Sequence, residues 1–263
     1  MELPLRLLST DFDGTLFAEF EAPPIPAKLA QLIGDLQARG AKWVINTGRD
    51  MASLMESIGR SHLHVLPDYL VLVEREIFER RGARFVGIQE WNERCSRDHA
   101  ELFGRIRAHV PQLVDWVNAR FEATIFEDMF SPLCIIAANN GDMDAIHAEL
   151  ERWCSAEPLL TVVRNDVYAR FSHAAYNKGT ALEEITRRLG LRPAQVFAAG
   201  DHFNDLPMLS RAHAGAIAAP ANAVPAVQAK VREQGGYVSA MSQGNGVWDA
   251  LNHFLKRNDR TAV

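Results

Sequence analysis

Short apolar runs alternate with amphipathic helical segments over the first part of the chain, and this alternation constrains the fold most. The runs that predict strands are Leu5–Leu8, Lys42–Asn46 and Tyr69–Val73. Between them, apolar residues at helical spacing predict a helix over Ala27–Ala38 and a second helix that ends near Ile58. Strands that alternate with helices build a parallel sheet with helical crossovers. The sequence therefore predicts an α/β protein.

The alternation of strands and helices stops after the third strand. Residues 74–88 predict a hairpin, and strand-like and helical segments then follow in mixed order. In this stretch the sequence predicts helices over 92–109 and 142–154, and strands over 116–128, 133–138, 160–164 and 167–171. The alternating pattern resumes at Asn177. We therefore expect an α+β cap domain, residues 79–173, inserted into a core formed by residues 1–78 and 174–263.

The resumed part again predicts strands and helices in alternation. Its segments are a helix over 177–189, a strand over 196–199, a helix over 205–211, strands over 215–218 and 237–238, and a helix over 247–255.

Composition and charge limit the classes of partner. The chain has 263 residues, of which 48% are hydrophobic, and a net charge of −5. We do not expect such a chain to bind nucleic acid or an anionic membrane surface. The N-terminal apolar run lacks the basic flank of a signal peptide, and no stretch approaches the roughly 20 apolar residues of a membrane span. Three cysteines without Cys-x-x-Cys spacing favour reduced thiols, so we expect a cytoplasmic protein.

Polar residues follow the predicted strands at their carboxyl ends, where open α/β sheets bind ligands. The first strand leads into Asp11 and Asp13, whose side chains share one side because strand side chains alternate. The remaining polar residues at this edge are Thr47, Gly48 and Arg49 after the second strand, Lys178 at a helix start, and Asp201, Asn204 and Asp205 after the strand at 196–199. Carboxylates, a hydroxyl and an ammonium group are thus expected to meet at one edge of the sheet.

These residue types suit phosphoryl transfer through an aspartyl-phosphate. An aspartate carboxylate is a covalent nucleophile toward phosphorus, and Asp13 could protonate the leaving alkoxide and later deprotonate a water. An acidic cluster needs a hard cation with oxygen ligands, so Mg²⁺ is expected. The groups that would hold the phosphoryl oxygens are the Thr47 hydroxyl, the main-chain N–H groups around Phe12 and Gly48, and Lys178.

The run Asp11-Phe12-Asp13-Gly14-Thr15-Leu16 resembles the first motif of the haloacid dehalogenase-like phosphatases. Thr47, Lys178 and Gly200-Asp201-x-x-Asn204-Asp205 resemble their second, third and fourth motifs, in the same order along the chain. The insert lies between the second and third motifs, as in the class with a large α/β cap that includes Cof-type and sucrose-phosphate phosphatases. The motifs cover the core, whereas the cap is similar only in position and length.

The resemblance implies a role for each matching residue. Asp11 would be the nucleophile and Asp13 the general acid and base. Mg²⁺ would be held by Asp11, by the main-chain carbonyl of Asp13 and by Asp201, with Asp205 as a nearby acidic support. The residues that would contact phosphate are Thr47, Lys178 and Asn204.

Two positions depart from the family pattern. Many relatives carry Asn-Gly after the third strand, where this chain has Val73-Glu74-Arg75-Glu76. His202 stands where small or amide residues are usual. The sequence leaves open the role of His202 and that of the acidic cap stretch 122–128.

We therefore predict a Rossmann-like core with an inserted cap, and a Mg²⁺-dependent phosphatase that hydrolyses a small phosphorylated metabolite, such as a sugar phosphate, through an aspartyl-phosphate on Asp11. Two alternatives stay open: a phosphomutase or phosphotransferase of the same family, and a non-catalytic module that binds a phosphorylated metabolite. Arg49 could hold phosphate or form a salt bridge with Asp50 or Asp205. The sequence specifies neither the substrate nor the oligomeric state.

Overall fold

The computed structural model describes residues 3–61 and 63–260, so the outermost ends of the predicted core segments, residues 1–2 and 261–263, lie outside it. The strands of this part are, in chain order, β1 (Leu7–Thr10), β2 (Lys42–Asn46), β3 (Tyr69–Leu72), β4 (Glu76–Arg81), β5 (Arg84–Gly87), β6 (Ala123–Phe126), β7 (Cys134–Ala137), β8 (Leu160–Asn165), β9 (Tyr168–His173), β10 (Val196–Ala199), β11 (Ala216–Ala219) and β12 (Tyr237–Val238). Its α-helices are α1 (Ala27–Ala38), α2 (Met51–Arg60), α3 (Gln89–Ile106), α4 (Val110–Asn118), α5 (Asn140–Cys154), α6 (Lys178–Arg188), α7 (Pro225–Glu233) and α8 (Gln243–Arg260). Within this part of the chain, no helix combines the length and the hydropathy that a membrane crossing requires.

The larger sheet has the strand order β12-β11-β10-β1-β2-β3-β4-β5. Neighbours from β12 to β3 are parallel, and β4 and β5 extend one edge as an antiparallel hairpin. All residues of β1 are buried because this strand has a neighbour on each side, with Leu7 opposite Val196 in β10 and Lys42 in β2. The predicted α/β fold with a parallel-strand core is confirmed.

A hydrophobic core cluster joins this sheet to α1 and α8. Leu8 and Trp43 from the sheet belong to the same cluster as Leu29 from α1 and Leu251 from α8. Trp43 is fully buried, and its Nε1 donates a hydrogen bond to Thr10 Oγ1 at 3.0 Å, which satisfies the polar atom of the indole. This packing fixes the end of β1, where the acidic motif begins.

Residues 89–177 form a second unit, divided from the rest of the chain by their contacts. Their sheet has the order β6-β7-β9-β8 and is antiparallel throughout. Its core contains Leu113 from α4, Ile146 from α5, and Ile135 and Phe171 from the sheet. Helices and an antiparallel sheet therefore give this unit a core of its own, which agrees with an α+β composition.

The hairpin after β3 belongs to the larger sheet. Contacts divide the chain after residues 88 and 177, whereas the sequence placed the boundaries after residues 78 and 173. The difference arises because alternation predicts a hairpin but not the sheet edge that it joins, and here Leu70 pairs with Phe78 across β3 and β4.

Three other segments differ from the sequence predictions, and one of them is α7 (Pro225–Glu233), a helix that was not predicted from the sequence. The strand predicted over 116–128 begins too early, because Pro111 lies in the first turn of α4 and that helix continues to Asn118. The helix predicted over 205–211 is replaced by a single 3₁₀ turn over Phe203–Asp205 and further turns. Pro207 follows at once and has no N–H to continue a helix.

The substitution Leu8→Ala tests the assigned core. Leu8 is fully buried in the central strand, so its removal leaves a cavity and should lower the free energy of unfolding by about 2–5 kcal/mol. Phe20 is 99% exposed, and Phe20→Ala should change it by less than about 0.5 kcal/mol. Denaturant unfolding followed by circular dichroism measures both, and similar losses in the two variants would contradict the core.

Candidate active site

Three segments of the larger unit meet around the side chain of Lys178, the first residue of α6. Its Nζ donates hydrogen bonds to Asp11 Oδ1 and to Asp205 Oδ1, each at 2.6 Å. The lysine is completely buried, and Asn46 Nδ2 at the end of β2 donates to its main-chain carbonyl at 2.9 Å. A buried ammonium group is tolerated where carboxylates neutralise it. Lys178, Asp11 and Asp205 therefore form one ionic unit, which we call the buried ion triad.

Burial and mutual charge shift the pKa values in the triad. Burial alone would lower the pKa of Lys178, but the carboxylates of Asp11, Asp205 and Glu74 outweigh it and raise that pKa above its ordinary value. Burial and the charge of Asp205 raise the pKa of Asp11 well above its ordinary value, although Lys178 acts in the opposite direction. Asp11 thus lies where negative charge exceeds positive charge even with the lysine in contact.

Asp201 adds a further carboxylate next to the triad. Its Oδ1 accepts a hydrogen bond from Thr15 Oγ1 at 2.7 Å. Asp205 Oδ2 accepts the main-chain N–H groups of Asp201 at 2.8 Å and of His202 at 2.9 Å, so both oxygens of Asp205 are engaged. Burial, and next the charge of Asp205, raise the pKa of Asp201 to about 7. The main chain of His202 thus helps to fix the loop.

Position 14 requires a glycine. Gly14 has a φ of +72°, and a Cβ there would lie 2.4 Å from Asp201 Oδ2. Asn222 Nδ2 donates a hydrogen bond to the Gly14 carbonyl at 2.8 Å and holds the loop in this position. The absent side chain therefore lets the first motif approach Asp201 closely.

The acidic groups suit a hard divalent cation. One carboxylate oxygen from each of Asp11, Asp201 and Asp205 lies within 4.8 Å of the others. These three carboxylates outnumber the single positive charge of Lys178, and burial is the main reason why the pKa values of Asp11 and Asp201 are raised. Oxygen donors are the ligands that Mg²⁺ takes in proteins. Because Asp205 is already occupied by Lys178 and two N–H groups, Asp11 and Asp201 are the better candidate ligands.

Arg49 forms a bidentate ion pair with Asp13. Its Nε donates to Asp13 Oδ2 at 2.7 Å and its Nη2 donates to Asp13 Oδ1 at 2.6 Å. The hydrogen bond to Asp13 raises the pKa of Arg49. Asp50 instead caps α2 by accepting the Ser53 N–H at 2.8 Å. The predicted partners Asp50 and Asp205 are therefore wrong, because β2 lies beside β1 and brings Arg49 to the motif at the end of that strand.

The loop after β2 is held by the turn after β3. Val73 N–H donates to the Arg49 carbonyl at 3.0 Å, and Glu74 N–H donates to the Thr47 carbonyl at 2.9 Å. Val73 and Glu74 have φ values of 43° and 67°. This left-handed conformation costs a residue other than glycine about 1–2 kcal/mol. The turn is therefore strained at both residues, and its two N–H groups fix the loop that contains Thr47 and Arg49.

Glu74 also brings a carboxylate among the predicted phosphate-binding residues. Its Oε1 accepts a hydrogen bond from Asn204 Nδ2 at 2.8 Å, and the residue is only 5% exposed. A Cβ on Gly48 would lie 3.3 Å from the same oxygen, so the glycine leaves room for the carboxylate. The sequence marks position 74 as a departure from the family pattern, but this contact becomes visible only in the fold.

The structure brings most of the predicted site residues into contact. Asp11, Lys178 and Asp205 form the buried ion triad, Asp201 lies next to it, and Asp13 pairs with Arg49. Phe12 is buried and its ring stacks on Phe17, with centroids 4.9 Å apart. The residues that sequence reasoning missed are Thr15, Asn46 and Glu74. Thr15 belongs to the first motif and could have been found there, whereas Asn46 ends a strand with no local signal.

The acidic stretch 122–128 has contacts within its own unit. Glu127 forms an exposed ion pair with Arg107 at 2.6 Å. Asp128 Oδ1 accepts the main-chain N–H groups of Phe130 at 2.7 Å and Ser131 at 2.8 Å. These two acidic side chains therefore stabilise local structure.

Comparison with known proteins agrees with this geometry. Residues 115–251 match the family model of haloacid dehalogenase-like hydrolases. The chain belongs to this family. The resemblance inferred from the four motifs is therefore confirmed.

Relatives of this haloacid dehalogenase-like hydrolase include proteins named as phosphatases. It is 25% identical over 72% of its length, and 82% of the relative, to a phosphoglycolate phosphatase of Methanothrix thermoacetophila. It is 21% identical to the 5-amino-6-(5-phospho-D-ribitylamino)uracil phosphatase YcsE of Bacillus subtilis over 97% of both chains. These relatives support the assignment as a phosphoric monoester hydrolase.

Solved structures show the same fold. The sucrose-phosphatase of Synechocystis sp. PCC6803, crystallised with sucrose and phosphate, has a TM-score of 0.71 at 20% identity, over 96% of this chain and 98% of that one. The phosphatase BT1666 of Bacteroides thetaiotaomicron has a TM-score of 0.61 at 22% identity, over 95% of each chain. The fold is thus shared across almost the whole length of the hydrolase.

The substitution Gly14→Ala tests the close approach to Asp201. The new methyl group would meet Asp201 Oδ2, in addition to the strain of the positive φ, so we expect a clear fall in melting temperature and weaker Mg²⁺ binding. Gly40→Ala is the matched control, because Gly40 has a φ of +97° with nothing within 4 Å of its added Cβ. The control should lose only about 1 kcal/mol of stability and keep its Mg²⁺ affinity. Equal effects in calorimetry and thermal unfolding would refute a steric role for Gly14.

Proposed function

We propose that this protein is a Mg²⁺-dependent phosphatase that hydrolyses a small phosphomonoester through an aspartyl-phosphate on Asp11. The observation that carries this proposal is the buried ion triad. Lys178 Nζ holds Asp11 Oδ1 at 2.6 Å, which orients the carboxylate and leaves Asp11 Oδ2 outside that hydrogen bond. An oriented carboxylate beside a cation is suited to attack a phosphorus atom.

In the first proposed step, Asp11 Oδ2 forms a bond to phosphorus while the bond from phosphorus to the ester oxygen breaks. Asp13 gives a proton to that oxygen, which leaves as an alcohol. In the second step, Asp13 takes a proton from water, the water oxygen bonds to phosphorus, and the bond to Asp11 breaks. The products are free carboxylate and inorganic phosphate, so the enzyme returns to its starting state.

Arg49 controls the position of the proposed acid and base. At least one of the two guanidinium contacts to Asp13 must loosen when the carboxyl group carries a proton, because the protonated oxygen becomes a donor and accepts poorly. Arg49 Nη1 also donates to Ser57 Oγ at 2.8 Å, and this contact can keep the arginine in place. Asp13 is 40% exposed at its side chain, so it has room to move and access to water.

The groups proposed to hold the phosphoryl oxygens come from separate segments. Thr47 Oγ1 accepts the Arg49 N–H at 3.1 Å, a bond that does not use its own hydroxyl hydrogen, which can be donated to phosphate. Lys178 supplies positive charge, and Asn204 supplies an amide donor. The remaining proposed donors are the main-chain N–H groups near Phe12 and Gly48. Such donors stabilise charge as it moves between oxygens during phosphoryl transfer.

Mg²⁺ is proposed to lie at the acidic cluster, with Asp11, Asp201 and the Asp13 carbonyl as ligands and Asp205 in support. When bound, it would offset the carboxylate charge and let an anionic phosphate group approach. The support for this assignment is the set of three closely spaced carboxylates, together with the raised pKa values of Asp11 and Asp201.

A small phosphorylated metabolite is the proposed substrate class. The curated relatives are named for the phosphate esters phosphoglycolate and 5-amino-6-(5-phospho-D-ribitylamino)uracil, both of them small polar molecules. We propose that residues 89–177 act as a cap domain and select among such esters, with a sugar phosphate as one member of the class.

The substitution Asp11→Asn tests the proposed nucleophile. An amide cannot form the acyl phosphate, so release of inorganic phosphate from phosphate esters should fall by at least about 1,000-fold. The matched control is Asp35→Asn, the same chemical change at a residue of α1 whose side chain accepts a hydrogen bond from Gln31, which should keep full activity. Activity of Asp11→Asn close to that of the wild type would exclude the mechanism.

The same assay separates the alternatives. A phosphomutase or phosphotransferase would give a second phosphate ester in place of free phosphate. A binding module would release no phosphate from any ester tested, although it would still bind phosphorylated metabolites.

The pKa of Asp201 predicts how pH and Mg²⁺ affect stability. In the metal-free protein this pKa is about 7, against about 3.9 in an unfolded chain, so the folded state binds its proton more tightly. The resulting stabilisation is complete below pH 4 and is lost as the pH rises through about 7. Mg²⁺ should therefore raise the melting temperature more at pH 8 than at pH 5. Thermal unfolding with and without Mg²⁺ measures this, and Asp201→Asn should reduce the difference between the two pH values. Equal shifts at both pH values in the wild type would contradict the prediction.

A further inference from the structure

Glu74 is hydrogen-bonded to Asn204 and Thr47 and lies beside Gly48, three of the residues proposed to bind phosphate. Its carboxylate accepts from Asn204 Nδ2 at 2.8 Å and lies beside Gly48, and its own N–H donates to the Thr47 carbonyl. Its charge also contributes to the raised pKa of Lys178. The residues that would bind phosphate therefore already surround a carboxylate that belongs to the protein.

We propose that Glu74 sets the affinity of this pocket for phosphate by placing a negative charge beside it, so that substrate binds weakly and the product phosphate leaves readily. The inference rests on the proposed phosphatase function and adds a residue that tunes substrate and product affinity. Glu74 would not be a catalytic residue, since no proposed step requires it to bond to phosphorus or to transfer a proton.

The count of charges supports this role. Lys178 is already bonded to Asp11 and Asp205, and Arg49 is bonded to Asp13 in a bidentate pair. Both of these cations are thus engaged by other carboxylates. A phosphate dianion that enters next to Glu74 meets a like charge in a buried site, where such repulsion is poorly screened.

Competition for Asn204 acts in the same direction. A carboxylate accepts hydrogen bonds and cannot donate them, so Glu74 takes one of the two N–H donors of Asn204 Nδ2 and leaves a single donor for a phosphate oxygen. Asn204 Oδ1 is buried and has no hydrogen-bond partner among the residues of 3–61 and 63–260. The amide is therefore turned toward Glu74 even though its oxygen is left unsatisfied, which shows that the carboxylate dictates its orientation.

The turn that carries Glu74 has an unusual backbone conformation. Val73 and Glu74 both adopt positive φ, a conformation for which Asn and Gly are the favourable residues. A glycine at position 74 would relieve strain and remove the charge at once. Glu74 instead combines a positive φ with a carboxylate that is hydrogen-bonded to Asn204 in a residue only 5% exposed.

Two substitutions separate charge from shape. Glu74→Gln keeps the length of the side chain and an oxygen that can accept from Asn204, but removes the charge. Glu74→Gly removes the charge and the contact, and suits the positive φ. Glu79→Gln is the control, because Glu79 lies in β4 of the same hairpin and interacts with Tyr69 and Arg81 outside the pocket.

Titration calorimetry of inorganic phosphate into the Mg²⁺-loaded full chain gives the direct test. We expect Glu74→Gln to bind phosphate about tenfold more tightly than the wild type, because a like charge is removed from a buried site. Glu74→Gly should also bind more tightly, and Glu79→Gln should bind as the wild type does. A merely structural role for Glu74 predicts unchanged binding in Glu74→Gln, which keeps an acceptor for Asn204, and weaker binding in Glu74→Gly, which loses that contact.

Turnover of p-nitrophenyl phosphate gives the second readout. Glu74→Gln should lower KM and the inhibition constant of inorganic phosphate, while kcat stays equal or falls because the product leaves more slowly.

Phosphate binding by Glu74→Gln that is equal to or weaker than that of the wild type overturns the proposal, as does undetectable binding in every variant. If Glu74→Gln does not fold, Glu74→Gly decides in its place by the same criterion. A wild type without turnover on any phosphate ester would refute the proposed function, and calorimetry would still decide the role of Glu74.

Discussion

The contact of one buried lysine with two aspartates is the interaction on which the site depends. Lys178 has no exposed surface, and its ammonium group lies 2.6 Å from oxygens of Asp11 and Asp205. Loss of Lys178 would leave both buried carboxylates without their counter-charge, which is strongly destabilising. The lysine therefore ties together β1, the loop after β10 and the first turn of α6, and the strands must end where these groups can meet.

The pocket contains more carboxylates than are needed to neutralise Lys178. Asp201 and Asp11 both have raised pKa values, and Glu74 adds a further acidic group beside Asn204. A divalent cation would offset part of this charge, while the charge of Glu74 would oppose phosphate. Both the proposed metal requirement and the proposed weak affinity for phosphate therefore follow from the same balance of charge.

Much of the fold and the core of the site could be predicted from the sequence, because the signals are local. The apolar run before Asp11 predicts a buried strand, and the carboxyl ends of parallel strands meet at one edge. Position 14 is similar, since an Asp-Gly pair after a strand predicts a turn. The roles of Asp11, Asp13 and their neighbours in catalysis stay proposals, although their placement together agrees with the motifs.

The sequence by itself determined most of the strands and helices, the family and the residues at the strand ends, because these depend on neighbours along the chain. The tertiary structure decided which side chains pair. Arg49 forms an ion pair with Asp13, although Asp50 is adjacent to it in sequence. Glu74 forms a hydrogen bond with Asn204, which lies 130 positions away along the chain. The tertiary structure also joined the hairpin of β4 and β5 to the larger sheet. Such choices depend on burial, distance and the balance of charge in three dimensions, and no local pattern encodes them.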